Sequence, residues 1–410
     1  MSPRELMFIE SNTSGTGRLF VLAARRLGFA PVLVTARPER YAFLADAGAP
    51  EVVVVPRVDE DSLYPLVRDR DRRGAGVAGI TSSSEYFIAT AAALAARMGL
   101  PGPDAVAVRA ARDKGWQRRV LADGGVAVPA FHAVQSARDA VRAARETGFP
   151  VVLKPVAGSG SVGVRACASA DEVEAHAAAL FAASPGERVL VESLVQGPEF
   201  SVEVFNGRVV GITRKHLGHP PAFVEAGHDY PAAVPDDVAR ALTAAVIRGT
   251  ELLRLGWGPL HWELRMSEGG AVPMEVNPRL AGGFIPELVR HAQGIDLICE
   301  TLRLVAGESP RPAPRHHRHA SIRFLFVPGD GRLAGVDGVA QARAHPGVAE
   351  VALYRAPGDE LRVHGDFRDR MGHVIACAGT PAHACLAAER GRAALRVRVE
   401  DPAGVALEVG

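Results

Sequence analysis

His261-Trp-Glu-Leu-Arg-Met-Ser-Glu-Gly-Gly-Ala-Val-Pro-Met-Glu-Val-Asn-Pro-Arg279 reads as a β-hairpin. Alternation places Trp262, Leu264 and Met266 on one face of the first strand, and Val272, Met274 and Val276 on one face of the second. This is the period-2 pattern of half-buried strands. The opposite faces carry His261, Glu263 and Arg265, and Pro273, Glu275 and Asn277. A three-residue loop, Glu268-Gly269-Gly270, with glycine available for a positive φ, sets a register in which Glu263 faces Glu275. Like charges opposed across a ladder destabilise it unless a cation lies between them. Oxygen ligands from Glu263, Glu275 and Asn277 suit hard Mg²⁺, with Mn²⁺ as the alternative. Mg²⁺ usually takes one or two carboxylates and completes its shell with water and substrate phosphates. The hairpin therefore predicts a magnesium–nucleotide site. The competing reading is a solvated sheet face whose acids are offset by Arg265 and Arg279.

The 410 residues around this hairpin suffice for two or three domains with substantial cores. Lysine and arginine together number 47 against 46 acidic residues, which gives no bulk electrostatic support to a nucleic-acid or membrane partner. Small-molecule chemistry is the expectation. Cys167, Cys299, Cys377 and Cys385 form no CxxC pair and no disulfide framework, as expected in a reducing cytoplasm. No signal-peptide pattern opens the chain. The most apolar helical run, residues 89–100, is interrupted by Arg97 and too short to cross a bilayer.

Residues 6–10 read as a strand, 11–17 as a loop, 18–28 as a helix and 31–35 as a second strand. Residues 52–55 and 77–80 add β-branched strands, and an alanine-rich helix spans 85–99. Residues 1–105 are thus expected to form an open parallel sheet with helices on both faces. Ser11-Asn-Thr-Ser-Gly-Thr-Gly17 is only a weak match to a dinucleotide fingerprint, because Phe20 stands where the third glycine belongs and no acid follows the second strand. A tight turn onto a helix is the simpler reading. Backbone N–H groups at that helix start can also hold a substrate carboxylate or phosphate. Thr81-Ser82-Ser83-Ser84-Glu85 follows another strand and, by the crevice rule for open sheets, faces the same ligand.

In the central region, Asp113-Lys114 opens a helix, and residues 150–154 form a strand ending in Lys154. An ammonium held there can pair with a phosphate, although a lysine snorkelling at a strand end is the commoner case. The run Ala157-Gly158-Ser159-Gly160-Ser161-Val162-Gly163 lets backbone N–H groups converge on phosphate oxygens. It lacks the Gly-Lys-Ser/Thr of a P-loop and joins strand to strand, so a flexible hairpin tip is the alternative. Residues 189–203 are two strands broken at Gly197-Pro198. Glu192, Ser193, Leu194 and Val195 offer backbone donors, acceptors and apolar surface to an adenine, and Glu199 can accept from ribose hydroxyls.

Lys114, Lys154 with its Gly/Ser loop, Glu192-Ser-Leu-Val195, Gly197-Pro-Glu199, Glu263 and Met274-Glu-Val-Asn-Pro-Arg279 occur in one order over most of the chain. In this they closely resemble the ATP-grasp superfamily of ATP-dependent carboxylate–amine ligases. The resemblance implies a mixed α/β and α+β architecture in three parts. These are a Rossmann-like pre-ATP-grasp domain at 1–105, a two-lobed ATP-grasp domain at 106–310 that clamps ATP, and a small C-terminal α+β domain at 311–410. It also implies Lys114 and Lys154 on the phosphates and 157–163 as a mobile lid. Glu192 to Val195 would lie at adenine, Glu199 at ribose, and Glu263, Glu275 and Asn277 on Mg²⁺. Arg279 would touch the transferred phosphoryl group or the substrate carboxylate, with Lys215 and Arg265 as further cations.

Within the superfamily the chain is most similar to L-amino-acid ligases, including bacterial dipeptide and peptide-antibiotic ligases. That likeness rests on Glu10-Ser-Asn-Thr-Ser-Gly-Thr-Gly17, on Thr213-Arg-Lys215 leading into Phe223-Val-Glu-Ala-Gly-His228, and on the C-terminal region. It implies a substrate site with Glu225 and His228 on a loop, together with Gly282, Gly283, Ser82 and Glu85. Alternatively, His228 is a surface histidine. His316, His317 and His319, in a proline-rich basic stretch, read as a solvated connector rather than a metal site. Strands follow near 320–327, 351–354, 361–363 and 370–379, and a helix at 381–391 has proline at its first position.

The implied activity is phosphoryl transfer from Mg-ATP to an amino-acid or peptide carboxylate, attack on the acyl phosphate by an amine, and release of ADP and phosphate. No protein nucleophile is required. Positioning and charge neutralisation carry such chemistry, and a lid shields the acyl phosphate from water. A carboxylase or purine-pathway-type ligase acting on bicarbonate, formate or a nucleotide intermediate shares the nucleotide machinery. A nucleotide-binding protein without turnover is the remaining alternative, but it has no physical need for opposed carboxylates. The expected partners are small molecules, and the expected assembly is a homodimer.

Overall fold

A computed structural model of the chain describes residues 3–13, 16–46, 48–74, 76–218, 223–400 and 406–409, the last four by backbone alone. The first parallel sheet has the spatial order Glu51–Val54, Ala30–Thr35, Glu5–Ile9, Val77–Thr81. Alternating side chains of its inner strands feed two cores. Leu6, Phe8 and Leu33 pack with Phe20 and Val21 of helix Thr16–Arg26, whereas Met7, Ile9, Val32 and Val34 pack with Leu63, Val67 and Leu94. Leu63 and Val67 belong to a helix, Glu60–Arg73, that the sequence reading did not anticipate. Its apolar stripe is nearly hidden among charges and interrupted by Pro65, and its clearest start signal is the Asp59 cap on the Ser62 N–H. The alanine-rich helix begins only at Ile88, since a bend at Ser83 and Ser84 and a turn at Glu85 to Phe87 precede it and serve the site described below.

A second, antiparallel sheet has the order Phe131–Val134, Val189–Ser193, Val151–Pro155, Arg165–Cys167, and its core lies against helices Ala137–Thr147 and Ala170–Ala183. The third sheet positions the site. Its eight strands run Gly270–Asn277, Pro259–Ser267, Glu199–Phe205, Arg208–Leu217, Glu225–Tyr230, His319–Phe326, Arg370–Ala378, Val348–Leu353. It continues across residue 310, because Gly227 pairs with Arg323. One face buries Phe200, Val202, Leu260, Trp262 and Leu264 with Leu242 and Val246 of helix Asp236–Leu252. Gly249 permits this approach, since a Cβ there would stand 2.5 Å from the Trp262 ring. The other face is polar, carrying Glu199, Ser201, Glu203, Thr213, Lys215, His261 and Glu263, all but Glu199 and Glu263 almost fully buried. A fourth sheet, Glu360–Leu361, Gly331–Asp337, Arg396–Glu400, Ala406–Val409, completes the C-terminal part.

Glu263 does face Glu275, by a different route from the one expected. Ser267 pairs with Gly270, so the turn has two residues, Glu268 and Gly269, instead of three. Continued without interruption, that turn would set Glu263 against Met274. A bulge shifts the register between Glu263 and Leu264, and Met274 becomes the extra residue. Pro273, which has no N–H for the ladder, stands immediately before it. The Arg118 guanidinium donates to the Met274 carbonyl, so the interrupted ladder leaves that acceptor satisfied.

Candidate active site

The polar face of the eight-stranded sheet is an ion network centred on Lys215. Register places Lys215 and Arg265 on either side of Glu199. Lys215 Nζ lies 3.0 Å from Glu199 Oε1, 2.5 Å from Glu225 Oε1 and 3.2 Å from Glu263 Oε1. Burial alone would lower the lysine pKa, but three carboxylates outweigh it and hold the pKa well above the ordinary value. Reciprocally, burial would raise Glu225 and Glu263, yet Lys215 keeps both well below the usual carboxylate range. Arg265 Nε donates to Glu199 Oε2 at 3.1 Å.

His261 sits deeper on the same face. Its Nδ1 is 2.9 Å from Glu203 Oε1 and its Nε2 is 3.1 Å from Glu263 Oε1. Burial lowers its pKa, and the two acids more than reverse this, to about 9. The ring is an imidazolium at neutral pH, so both nitrogens donate. Glu275, across the ladder, is held by Lys114 Nζ at 3.1 Å, which also donates to the Gly158 carbonyl at 2.5 Å. Asn277 pairs with His261 in register and is nearly buried. Neither arginine of the solvated-face reading pairs directly with these acids, although Arg279 is near enough to feel the charge of both. Arg265 is engaged by Glu199, and Arg279 by Glu85.

The smaller sheet faces this network. Lys154 Nζ lies 2.6 Å from Glu192 Oε2, and Arg118 Nε donates to Glu192 Oε1 at 2.6 Å. Burial lowers the Lys154 pKa, while Arg118 and Lys154 together hold Glu192 low against its own burial. The Glu192 side chain is therefore enclosed. Ser193 N donates to Ala130 O, Leu194 N to Pro150 O, and Val195 O accepts from Arg265 Nη1. The adenine expectation for 192–195 is thus narrowed to the backbone groups outside these bonds. The loop from Gly158 to Gly163 arches beside Lys114, with Ser159 ahead of positive φ at Gly160 and Ser161, and Val162 ahead of positive φ at Gly163.

The first domain contributes Glu85. Arg279 donates to Glu85 Oε2 through Nε and Nη2, and Arg112 donates to Oε1 at 2.7 Å. Burial pushes this carboxyl up, the two guanidiniums outweigh burial, and its pKa is about 2. Ser82 donates to the Glu10 carbonyl, while Ser83 Oγ accepts from Asn12 N and pairs with Ser11 Oγ at 2.7 Å. Beside them a cavity of about 30 Å³ lies among Thr16, Ser82, Arg279 and Leu280, which is room for water. Ser14 and Gly15, in the loop read as an anion holder, lie outside the described residues.

Glu225 and His228 are not on a loop. They occupy the strand Glu225–Tyr230, with His228 in register with Lys215 on one side and Ile322 on the other. His228 is fully buried, not a surface residue, and neither ring nitrogen has a hydrogen-bond partner. Burial takes its pKa down to about 3, so the imidazole is neutral, with Glu225 Oε2 3.6 Å from Nε2. Gly283, at φ +58°, lies against that nitrogen, where a Cβ would stand 2.5 Å away, and Gly282 precedes it.

Five side chains of this network had been given no role: Arg112, Arg118, Glu203, His261 and Arg370. Arg118 had a signal, being four residues from Lys114 on one helix face. Alternation had already set His261 on the face of Glu263 without a role, and Glu203 shares a face with Glu199 by the same signal. Arg370 had none, since 145 residues separate it from Glu225, to which its Nη2 donates at 2.7 Å. Its guanidinium also lies 3.9 Å from the centre of the Phe324 ring.

Among the described residues no three His, Cys, Asp or Glu side chains form a metal cage. The two opposed carboxylates and Asn277 are instead an open, all-oxygen half-set, and each acid already attracts a cation, Lys215 and His261 at Glu263 and Lys114 at Glu275. That donor set fits Mg²⁺.

Residues 147–287 match the ATP-grasp domain family, residues 21–102 the ATP-grasp N-terminal domain, and residues 323–400 the L-amino acid ligase C-terminal domain 2. An uncharacterized protein of Sinorhizobium fredii is 39% identical over 381 residues, which is 92% of this chain and 79% of that protein. Carnosine synthase 1 of Gallus gallus is 30% identical over 402 residues, covering 90% of this chain. The chain spans only 42% of that relative's length. L-amino acid ligase from Bacillus licheniformis has the same fold, with a TM-score of 0.83 at 21% identity over 97% of this chain and 99% of its own.

Proposed function

Because the chain belongs to the ATP-grasp carboxylate–amine ligases, we propose that it activates an amino-acid or peptide carboxylate with Mg-ATP and joins it to an amine. One observation carries this reading furthest. A single buried ammonium, Lys215, touches Glu199, Glu263 and Glu225, the groups assigned to ribose, metal and substrate amine. The names of the relatives, an L-amino acid ligase and a carnosine synthase, support an amino-acid substrate class.

In this reading Lys114, Lys154 and the 158–163 loop hold the phosphates, and the backbone near Val195 holds adenine. Glu263, Glu275 and Asn277 hold Mg²⁺. The bound ion neutralises phosphate charge. The substrate carboxylate takes the γ-phosphoryl group near Arg279, whose guanidinium is aimed by Glu85. Amine attack on the acyl carbon forms the C–N bond, breaks the C–O bond to phosphate and releases a proton. Glu225 attracts the ammonium form of a substrate, and His228, kept neutral beside it, adds no competing positive charge. Ser82, Gly282 and Gly283 shape the surrounding walls.

The test is phosphate release from Mg-ATP across single amino acids, amino-acid pairs and short peptides. Release that requires two partners, with the amide seen by mass spectrometry, is expected. Silence across the panel in a protein that still binds ATP by thermal shift would transfer the reading to another carboxylate or to a non-catalytic role. A second expectation concerns His261, which orients Glu263 from behind. His261→Asn should raise the Mg²⁺ concentration for half-maximal phosphate release by about 10–100-fold. An unchanged Mg²⁺ requirement in the folded variant would remove that role.

A further inference from the structure

Three consecutive lid residues are each touched by a different part of the chain. Ser159 Oγ is 2.9 Å from the hydroxyl of Tyr86 in the first domain, whose ring carries the Arg112 guanidinium at 4.5 Å. Ser161 Oγ donates to the carbonyl of Phe223, 3.3 Å away, in the stretch leading to Glu225. Between them, Gly160 lies under the ring of Phe367 from the C-terminal domain. A Cβ on Gly160 would stand 2.6 Å from Phe367 Cδ1, and φ there is +63°, so glycine lets the ring and the loop meet without crowding or strain.

The two serine contacts are polar and exchange readily with water. The Phe367 contact is apolar and can exclude it. Its mount is rigid. Phe367 lies in a 3₁₀ turn, Phe367–Asp369, capped by Asp366. The Asp369 carboxylate accepts from His364 N and Gly365 N, each at 2.7 Å. The next residue, Arg370, is fastened to Glu225. The turn thus spans the distance between the lid and the proposed amine site, yet Phe367 itself is 45% exposed and buried in no core.

We propose that Phe367 is a positioning residue that seals the lid over the acyl phosphate, making the C-terminal domain a wall of the reaction chamber. This rests on the ligase reading above. Two reactions compete for the acyl phosphate. Water attack breaks the bond to phosphate and returns the carboxylate, whereas amine attack forms the amide. Both release phosphate, so amide formed per phosphate released reads how well water is excluded.

The experiment measures that ratio for the wild type, Phe367→Ala and Phe367→Leu, at saturating ATP and both substrates, with thermal melts as the fold control. The ratio is expected to fall several-fold in Phe367→Ala, with KM for ATP little changed, and to recover in Phe367→Leu, which restores apolar bulk. A folded Phe367→Ala protein with the wild-type ratio overturns the proposal. So does a rise in KM for ATP with the ratio unchanged, because that places Phe367 in nucleotide binding. A wild-type protein that releases phosphate with every pair but forms no amide overturns the ligase reading and this proposal with it, an outcome visible before any variant is made.

Discussion

Glu275→Ala is expected to lower phosphate release by about 10³-fold or more while leaving the fold intact, since it removes a group aimed at charge that develops on the phosphates. The substitution deletes one of the two carboxylates opposed across the hairpin. Its effect on stability is a balance. Lys114 loses its acid at 3.1 Å but keeps the Gly158 carbonyl, and Glu263 loses a like charge directly opposite. These changes oppose one another, so the melting temperature should move little. Glu275→Gln retains an oxygen donor without the charge and should fall between wild type and alanine. The measurements are initial rates at saturating Mg-ATP and melts by circular dichroism. Wild-type turnover by a folded Glu275→Ala protein would remove the metal assignment, and with it the magnesium–nucleotide reading of the hairpin.

The hairpin shows where a sequence pattern is reliable and where it is not. Alternation holds along the first strand, where Trp262 and Leu264 are core and Glu263 is not, but it fails on the second, where the bulge switches faces: Val276 opposes Trp262 as expected, whereas Pro273 opposes Leu264 on the core face and Val272 opposes Arg265 on the polar one. Register depends on counting through the turn, and the count was wrong by one residue. The bulge at Met274, beside a proline that cannot donate, corrected it by one in the other direction. Strand Glu225–Tyr230 was missed because its sequence, Glu-Ala-Gly-His-Asp-Tyr, has neither β-branched residues nor an apolar face. Its partners on both sides supply the pairing that its own propensity does not. Arg370 and Phe367 were beyond sequence reasoning for another reason. Their roles exist only through strand Arg370–Ala378, which joins the sheet beside His319–Phe326 and brings the C-terminal part against the lid. Burial of charge was equally illegible. Lys154 and Lys215 stand in strands with ordinary surroundings in sequence, and only the assembled sheets show that Lys154 is buried against Glu192 and Lys215 against three acids.

Lys215→Met is expected to destabilise the metal-free protein by about 3 kcal/mol, the low end of what removing one partner from a buried ion cluster costs. Methionine conserves much of the volume, so the change is mainly one of charge. The cost is limited because each of the three carboxylates keeps a second cation: Arg265 for Glu199, Arg370 for Glu225 and His261 for Glu263. Its pH dependence is specific. Carboxylates whose folded pKa is depressed contribute stability that is present above their unfolded value, about 4.5, and lost as pH falls through the folded value. Lys215 is the leading cause of that depression at Glu225 and Glu263. The carboxylate part of the gap between wild type and variant should therefore be fully present at neutrality and narrow below about pH 4.5. The alkaline side behaves differently. His261, raised to about 9, contributes stability that is full below its unfolded pKa and lost as pH rises through the folded one. With Lys215 gone, His261 is the remaining close cation at Glu263, so the variant should lose more stability than the wild type between pH 7 and pH 9. Urea unfolding in chelator from about pH 2.5 to pH 9 measures both slopes. A gap that stays constant with pH would show that Lys215 acts by packing and not by charge, and would dissolve the ion network as the link between the ribose, metal and amine positions.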